Sequence, residues 1–408
     1  MARAFEGEDS VFALRYDRLM EAAFLTPEHL RLAAEAWAFA RDSVAPTAAT
    51  EVEEGVDGEA LARTFVNHMA KAGLLKHVVS VAHGGVSERV DLRALCVIRE
   101  ALAYASGLCD HMFGTQALGA GPIVLFGDAA QRKAYLPKVA NGTAIAAFAL
   151  TEPKAGSDPT QLETIARREN GGWVLNGVKR FVSNAGLADF YVVFARLEGE
   201  EDARVLTAFV VDADNPGLRV TERLELIAPH PVGEIALERC RVGRTALLSE
   251  EGNGMTVAMT TLDTYRPAVG AAAIGFARRA FDEALDHVQT RVQFGQPLSA
   301  QQSVQFALAD MATELDASRL LVYRAAHKKD MGAERITLEA SMAKAYATEA
   351  AQRIVDRALQ LHGGNGLVRG FEVERLYREV RALRIYEGAT EIQKSIIAKQ
   401  LLRGHGRS

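Results

Sequence analysis

From Gly254 to Arg403 the chain keeps helical periodicity with only short breaks. Met255–Gln293, Ala300–Met331, Leu338–His362 and Thr390–Arg403 each repeat apolar residues at helical spacing. Four long helices joined by short connections suffice for a packed bundle. The region up to about Asn141 also reads as helical. Thr26 is placed to cap a helix with Pro27 in its first turn, and Leu30, Ala33, Ala34, Trp37 and Ala40 continue it as far as Pro46. A second helix fits Glu59 to Ala72 and stops at Gly73. Leu92–Tyr104, Met112–Phe126 and Ala129–Val139 fit three more. Between about Ala144 and Val242 the texture changes to strands. Trp173-Val174-Leu175 and Val178–Ser183 flank Asn176-Gly177, which predicts a hairpin with a type I′ turn, and Tyr191–Ala195 and Leu206–Asp212 are further β-rich runs. The order is helices, a small β domain, then helices.

A chain of 408 residues exceeds one compact core, so two or three domains are expected. With 49% hydrophobic and 24% charged residues and a net charge of -5, it offers no basic surface for nucleic acid. No uncharged stretch reaches the roughly 18–20 apolar residues of a membrane span. Glu6, Glu8 and Asp9 fit neither a secretory signal nor a transit peptide. Cys96, Cys109 and Cys240 lack C-x-x-C spacing, which argues against a disulfide framework or a metal site. A cytoplasmic location is the simplest expectation.

Six segments carry residue types suited to chemistry. In Arg384-Ile385-Tyr386-Glu387-Gly388-Ala389-Thr390-Glu391-Ile392-Gln393, the Thr390 and Gln393 spacing predicts a capping box. Glu387 then stands in a loop above a helix N-terminus beside apolar Ile385 and Tyr386. Burial would raise its pKa and make it a base near neutral pH; read alone, a solvated loop glutamate is the simpler reading. Phe148-Ala149-Leu150-Thr151-Glu152-Pro153 begins as a strand and breaks into a loop holding Gly156, Ser157 and Asp158, which can offer N–H and hydroxyl groups to a ligand or be a plain turn. Phe181 and Ser183 are two apart on a strand and so share a face, either around a flat ligand or in a core. Arg291 precedes Phe294-Gly295-Gln296-Pro297, with Gln302 beyond; it can reach a phosphate or simply end a helix. Gln360-Leu361-His362-Gly363-Gly364-Asn365-Gly366 permits close backbone approach but follows a helix and fails the dinucleotide G-x-G-x-x-G spacing. Asp263 and Arg266 are helical neighbours, as a local ion pair or as ligand contacts.

Taken in this order, the segments resemble the acyl-CoA dehydrogenase family of flavoenzymes over roughly Leu25–Leu402. The resemblance implies a mainly α fold with a middle β domain: an N-terminal helical domain (1–143, with 1–25 an extension), a small β-barrel-like domain (144–252) and a C-terminal four-helix bundle (253–408). It implies FAD as cofactor. Phe148, Leu150, Thr151, Ser157, Phe181, Val182 and Ser183 would face the flavin. Arg291, Phe294, Gln302, Gln360, Leu361, Gly363 and Gly364 would hold its ADP half across a dimer interface, and Ala389, Thr390 and Glu391 would complete the cofactor set. Ser157, Asp263, Arg266, Tyr386 and Gly388 would line the acyl-CoA groove.

Glu387 matches the family's base, which removes the proton α to the thioester while the β-hydrogen leaves as hydride to flavin N5, giving the trans-2-enoyl-CoA. Relatives that carry the base on the first C-terminal helix have it where this chain has Tyr265, a residue that would favour short or unbranched acyl groups. The resemblance also implies a homo-oligomer, typically a dimer of dimers, and an electron-transfer flavoprotein as acceptor. Phe181 replaces a usual Trp, Lys154 a usual Gly, and Leu226–Pro231 lacks the family's Gly-x-Arg-x-Ser pattern, which leaves substrate identity open. A flavin oxidase or monooxygenase, an acyl-carrier-protein dehydrogenase and a non-catalytic scaffold are the alternatives.

Overall fold

The computed structural model describes residues 23–49, 57–202 and 204–405, so most of the 1–25 extension lies outside the described residues. The chain forms two compact units from interleaved segments. One comprises residues 1–56, 92–110 and 266–408; the other comprises 57–91 and 111–265.

The first unit is helical. Helix α1 (Pro27–Phe39) starts at Thr26, which forms a capping box with His29. It continues through a wide turn at Ala40–Val44 into Ala45–Ala48. Pro46 therefore lies in the first turn of that last segment, where a missing N–H is harmless, and does not end the helix. The rest of this unit uses α3 (Leu92–Ala105), α6 (Gly254–Thr290) from Arg266 onward, α7 (Gln302–Asp330), α8 (Thr337–His362), α9 (Glu372–Ala382) and α10 (Thr390–His405). Helix α8 packs against α7, α9 and α10, and Ala340, Ala343, Ala347, Ala350 and Ala351 along it are buried. At Gly270 a side chain would stand 2.6 Å from Val322 and 3.5 Å from Ala347, so α6 meets α7 and α8 at a residue without one. Helix α9 is absent from the sequence reading. Its apolar residues Val373, Leu376 and Val380 are buried at helical spacing, but the charges between them hide the repeat.

The second unit contains α2 (Gly58–Lys71), α4 (Gly107–Phe126) from His111 onward, α5 (Ala129–Ala140) and an eight-stranded sheet. Asp57 caps α2, and Gly73 follows it at φ +78°, the left-handed stop expected from sequence. The strands are β1 (Ala146–Ala149), β2 (Ile165–Glu169), β3 (Gly172–Ser183), β4 (Phe190–Leu197), β5 (Leu206–Asp212), β6 (Leu218–Arg223), β7 (Val232–Val242) and β8 (Leu247–Leu248). Their order is β6-β7-β3-β2-β4-β5-β8, with β1 parallel to β4. Strands β4 and β5 are buried along almost their whole length. Gln131 ties α5 to the β8 end of the sheet through the carbonyls of Thr245 (2.9 Å) and Leu247 (2.8 Å).

The predicted hairpin at Asn176-Gly177 is not formed. Both residues lie inside β3, at a bulge against β7 where the Asn176 side chain accepts the Arg239 N–H (2.8 Å). The turn lies six residues earlier, at Asn170-Gly171, with φ of +49° and +79°, and joins β2 to β3. Gly177 serves close approach instead: a side chain there would meet the Thr164 hydroxyl at 2.3 Å and the Thr164 Cα at 2.7 Å. Gly177→Ala is therefore expected to cost about 1–3 kcal/mol, measured as a lowered denaturant midpoint at unchanged slope. Among the described residues no helix is long and apolar enough to cross a membrane.

Candidate active site

Glu387 lies in the short connection between α9 and α10, with φ +52°; Gly388 follows at φ +92°. A left-handed conformation is strained for glutamate, so the surroundings must hold it. Three side chains from three helices do so. Arg266 Nε of α6 donates to the Glu387 carbonyl at 3.4 Å. Lys344 Nζ of α8 donates to the Gly388 carbonyl at 2.7 Å. Gln393 Nε2 of α10 donates to both, at 3.2 and 3.0 Å. One turn away, Thr390 and Arg384 share the Glu349 carboxylate, at 2.7 and 2.8 Å.

This arrangement corrects the predicted capping box. Thr390 is the first residue of α10, its hydroxyl turns to Glu349, and Gln393 donates to carbonyls instead of accepting a backbone N–H. The connection leaves two carbonyls pointing at the helix start, and an amide donor meets that need better than a cap does.

The Glu387 carboxylate is buried at Oε2, which has no hydrogen-bond partner among the described residues. Its N–H likewise makes no backbone hydrogen bond there. Burial pushes the carboxyl above the usual glutamate value, against the opposing pull of Arg99, Arg266 and Lys344, with Asp110 adding to the rise. Arg99 of α3 and Asp110 of α4 form a buried two-pronged pair at 2.8 and 2.7 Å. The expected apolar surroundings are thus corrected: the carboxylate stands among charges, and Ile385 faces outward, 58% exposed. Burial also raises the Tyr386 hydroxyl pKa. Arg99, Asp110, Lys344, Glu349 and Gln393 were not singled out as site residues from sequence. The available signal was a lysine on the alanine-rich face of α8, at the i+4 spacing of Ala340, Lys344 and Thr348.

In the second unit, Leu150 and Thr151 leave β1 on a half-buried loop, and Ser157 is exposed beyond it. The loop is fixed from below by Glu152, which accepts from buried Lys179 (2.7 Å), from the Thr164 N–H (3.1 Å) and from the Thr164 hydroxyl. Lys179 also donates to the Leu150 carbonyl (3.2 Å), and the Arg180 N–H to the Thr151 carbonyl (2.9 Å). Strand β3 bulges between Lys179 and Val182, and Phe181 takes φ +56°. The simple every-other-residue rule therefore fails at Phe181: its ring is 58% exposed, with the Arg180 guanidinium 5.5 Å above it, while Val182 is buried and Ser183 half-buried. Phe148 packs on Phe194, ring centroids 5.0 Å apart. Asp263 is half-buried on α6. Tyr265 is buried with no hydrogen-bond partner for its hydroxyl among the described residues, and it fills the space left by Gly121, where a side chain would come within 2.5 Å of the ring.

A third group gathers at one end of the first unit. The stacked rings of His287 and His362, 4.3 Å apart, bring together the C-terminal ends of α6 and α8. Arg291 is exposed just beyond α6. Val292–Gln293 and Gln296–Pro297 then form a two-residue hairpin whose turn, Phe294-Gly295, has φ of +53° and +78°. Phe294 is 95% exposed. Gln302 opens α7 and is exposed, as is Gln360, while Leu361 is half-buried. At Gly363 and Gly364 an added side chain would meet nothing within 4 Å, so the backbone there is open to an incoming group. Ala389 is half-buried and Glu391 exposed.

This mainly helical chain with its eight-stranded sheet belongs to the acyl-CoA dehydrogenase family, whose N-terminal, middle and C-terminal domains match residues 26–143, 147–240 and 252–402. A 3-(aryl)acrylate reductase from Clostridium sporogenes is 37% identical over 384 residues, spanning 93% of this chain and all of the relative. The solved butyryl-CoA dehydrogenase of Megasphaera elsdenii superposes with a TM-score of 0.87 at 32% identity, over 93% of this chain and 99% of that one. An acyl-CoA dehydrogenase from Bacillus anthracis, solved in complex with FAD, superposes with a TM-score of 0.85 at 30% identity, over 94% of this chain and 68% of that one.

Proposed function

We propose that this protein is an enzyme that removes the α-proton of an acyl-CoA thioester with Glu387 and forms the α,β-double bond. It is an FAD-dependent oxidoreductase of the acyl-CoA dehydrogenase family. The observation that carries the assignment of the base is the buried, unpartnered Oε2 of Glu387 on a loop held from three helices. A base must reach an unsolvated C–H, and a carboxylate already bonded to neighbours would have to break those bonds first. The Glu387 N–H, unpaired among the described residues, is a donor available to the thioester carbonyl, where negative charge develops as the proton leaves.

The residues present suit FAD. The open Gly363-Gly364 backbone and the exposed Arg291 cation fit a diphosphate-bearing group, Phe294 offers an apolar face, and Thr151, Phe181 and Ser183 would hold the flavin ring. When bound, the flavin supplies the acceptor for the β-hydride at N5. Exposure of Phe294 (95%) and Leu367 (75%) beside this end supports a homo-oligomer that covers it. The family relationship supports an electron-transfer flavoprotein as the acceptor for the reduced enzyme.

For the acyl group, a buried Tyr265 supports short chains, and the aryl-acrylate and butyryl relatives are consistent with an acyl moiety of a few carbons with or without one ring. Anaerobic titration of the purified protein with a panel of acyl-CoA thioesters tests both points. Flavin absorbance should bleach with short or ring-bearing thioesters. Best bleaching by long linear chains would reject the Tyr265 reading, and none with any thioester would reject the activity. Oxygen uptake during turnover would favour an oxidase over a dehydrogenase.

A further inference from the structure

Lys344 presents an energetic problem that the assignments above do not solve. Its side chain is 0% exposed, and its single hydrogen bond among the described residues goes to the Gly388 carbonyl at 2.7 Å. Gln393 already donates to that same oxygen at 3.0 Å, so a neutral donor is in place and the ammonium is not needed for the bond. A buried ammonium with one acceptor is costly unless an anion lies near. The charged groups around it are Glu387, Arg266, Glu349 and Glu391. Glu349 is taken by Arg384 and Thr390, and Glu391 stands in solvent. Glu387 is the remaining carboxylate, with a buried oxygen of its own unpartnered. Around Glu387 the other charges are Arg99, which Asp110 already neutralises two-pronged, and Arg266 on its carbonyl.

We propose that Lys344 is a positioning residue for the base: from α8 it fixes the Gly388 carbonyl and supplies a buried positive charge one residue from Glu387, which keeps that carboxylate ionised and aimed between turnovers. The inference rests on the reading of Glu387 as the base. When Glu387 takes up a proton, Lys344 loses its counter-charge, so the lysine opposes protonation of the resting carboxylate. Burial, with Arg266 adding to it, brings the ammonium down to about 8 against the opposing pull of Glu387, which is the largest of the anionic contributions.

The test is the titration of Glu387 in the FAD-bound enzyme without substrate. It is read by infrared difference spectra of the carboxyl band between each variant and the same variant carrying Glu387→Gln. Removing a nearby cation disfavours the carboxylate, so in Lys344→Met the midpoint should rise by about one unit or more, and the acid limb of kcat/KM should move to higher pH in parallel. Lys344→Arg should keep both at their original positions. Should methionine not be accepted by the fold, Lys344→Gln carries the same test. An unshifted Glu387 titration in a folded, FAD-bound Lys344→Met or Lys344→Gln overturns the proposal, and so does an equal shift in Lys344→Arg, which would make shape and not charge responsible. If instead Glu387→Gln retains full activity while the infrared midpoint still follows residue 344, the base assignment fails and the coupling stands.

Discussion

Replacing Glu387 with glutamine should leave FAD bound and slow flavin reduction by acyl-CoA by at least about 10²–10⁴-fold. The amide keeps the size of the side chain and removes its ability to accept a proton, while the clamps from Arg266, Lys344 and Gln393 act on backbone carbonyls that the substitution does not touch. Loss of reduction with an unchanged visible spectrum would separate chemistry from cofactor binding. Stopped-flow bleaching under anaerobic conditions gives the number. Reduction at the wild-type rate would remove Glu387 from the mechanism. Because burial holds its pKa above the ordinary glutamate value, the wild-type rate should fall on the acid side as the carboxylate gains a proton.

The second large effect concerns stability. Glu152→Ala should destabilise the protein by about 3–5 kcal/mol, because it leaves the Lys179 ammonium buried without an anion. The Thr164 N–H and hydroxyl lose their acceptor as well. Burial works to raise the Glu152 pKa, but the Lys179 charge and these hydrogen bonds outweigh it and hold the carboxyl below its usual value. A depressed carboxylate contributes stability above its unfolded pKa, roughly 4.3, and that contribution is lost as the pH falls through the folded value. The gap between wild type and Glu152→Ala in urea denaturation should therefore be widest near neutrality and shrink in acid. Since Glu152 and Lys179 fix Leu150 and Thr151, the variant should also release FAD more readily. A variant as stable as the parent at pH 7 would contradict the reading of the pair.

The long helices were legible because apolar spacing over 25 or more residues outweighs any local signal. Gln302–Asp330 and Thr337–His362 fall within two residues of the periodicity read from the chain. Turn chemistry was less reliable where two candidates competed. Asn170-Gly171 and Asn176-Gly177 carry the same dipeptide six residues apart, and the choice between them depends on pairing with β7, which no local pattern contains. The loop position of Glu387 was visible from its neighbours in the chain. Its electrostatic setting was not, because Arg99 and Asp110 reach it from α3 and α4, hundreds of residues earlier in the chain, and Lys344 from α8, on the far side of α9 in sequence. Helix α9 was missed because seven of the eleven residues in EVERLYREVRA are polar or charged around a three-residue apolar stripe.

The interleaving of the two units has a consequence for synthesis on the ribosome. Residues 92–110 belong with a partner segment that begins at Arg266, so more than 150 residues must emerge before that pairing can start. Helix α3, buried nearly all round when assembled, meanwhile has α1 to pack on but lacks the cover that α7 gives it. Such nascent chains expose apolar surface for seconds at ordinary elongation rates of about 5–20 residues per second. Truncations ending before Arg266 should accordingly be recovered as aggregates or chaperone-bound species, and expression yield should depend more on slow translation and holdase supply than on the final stability of either unit.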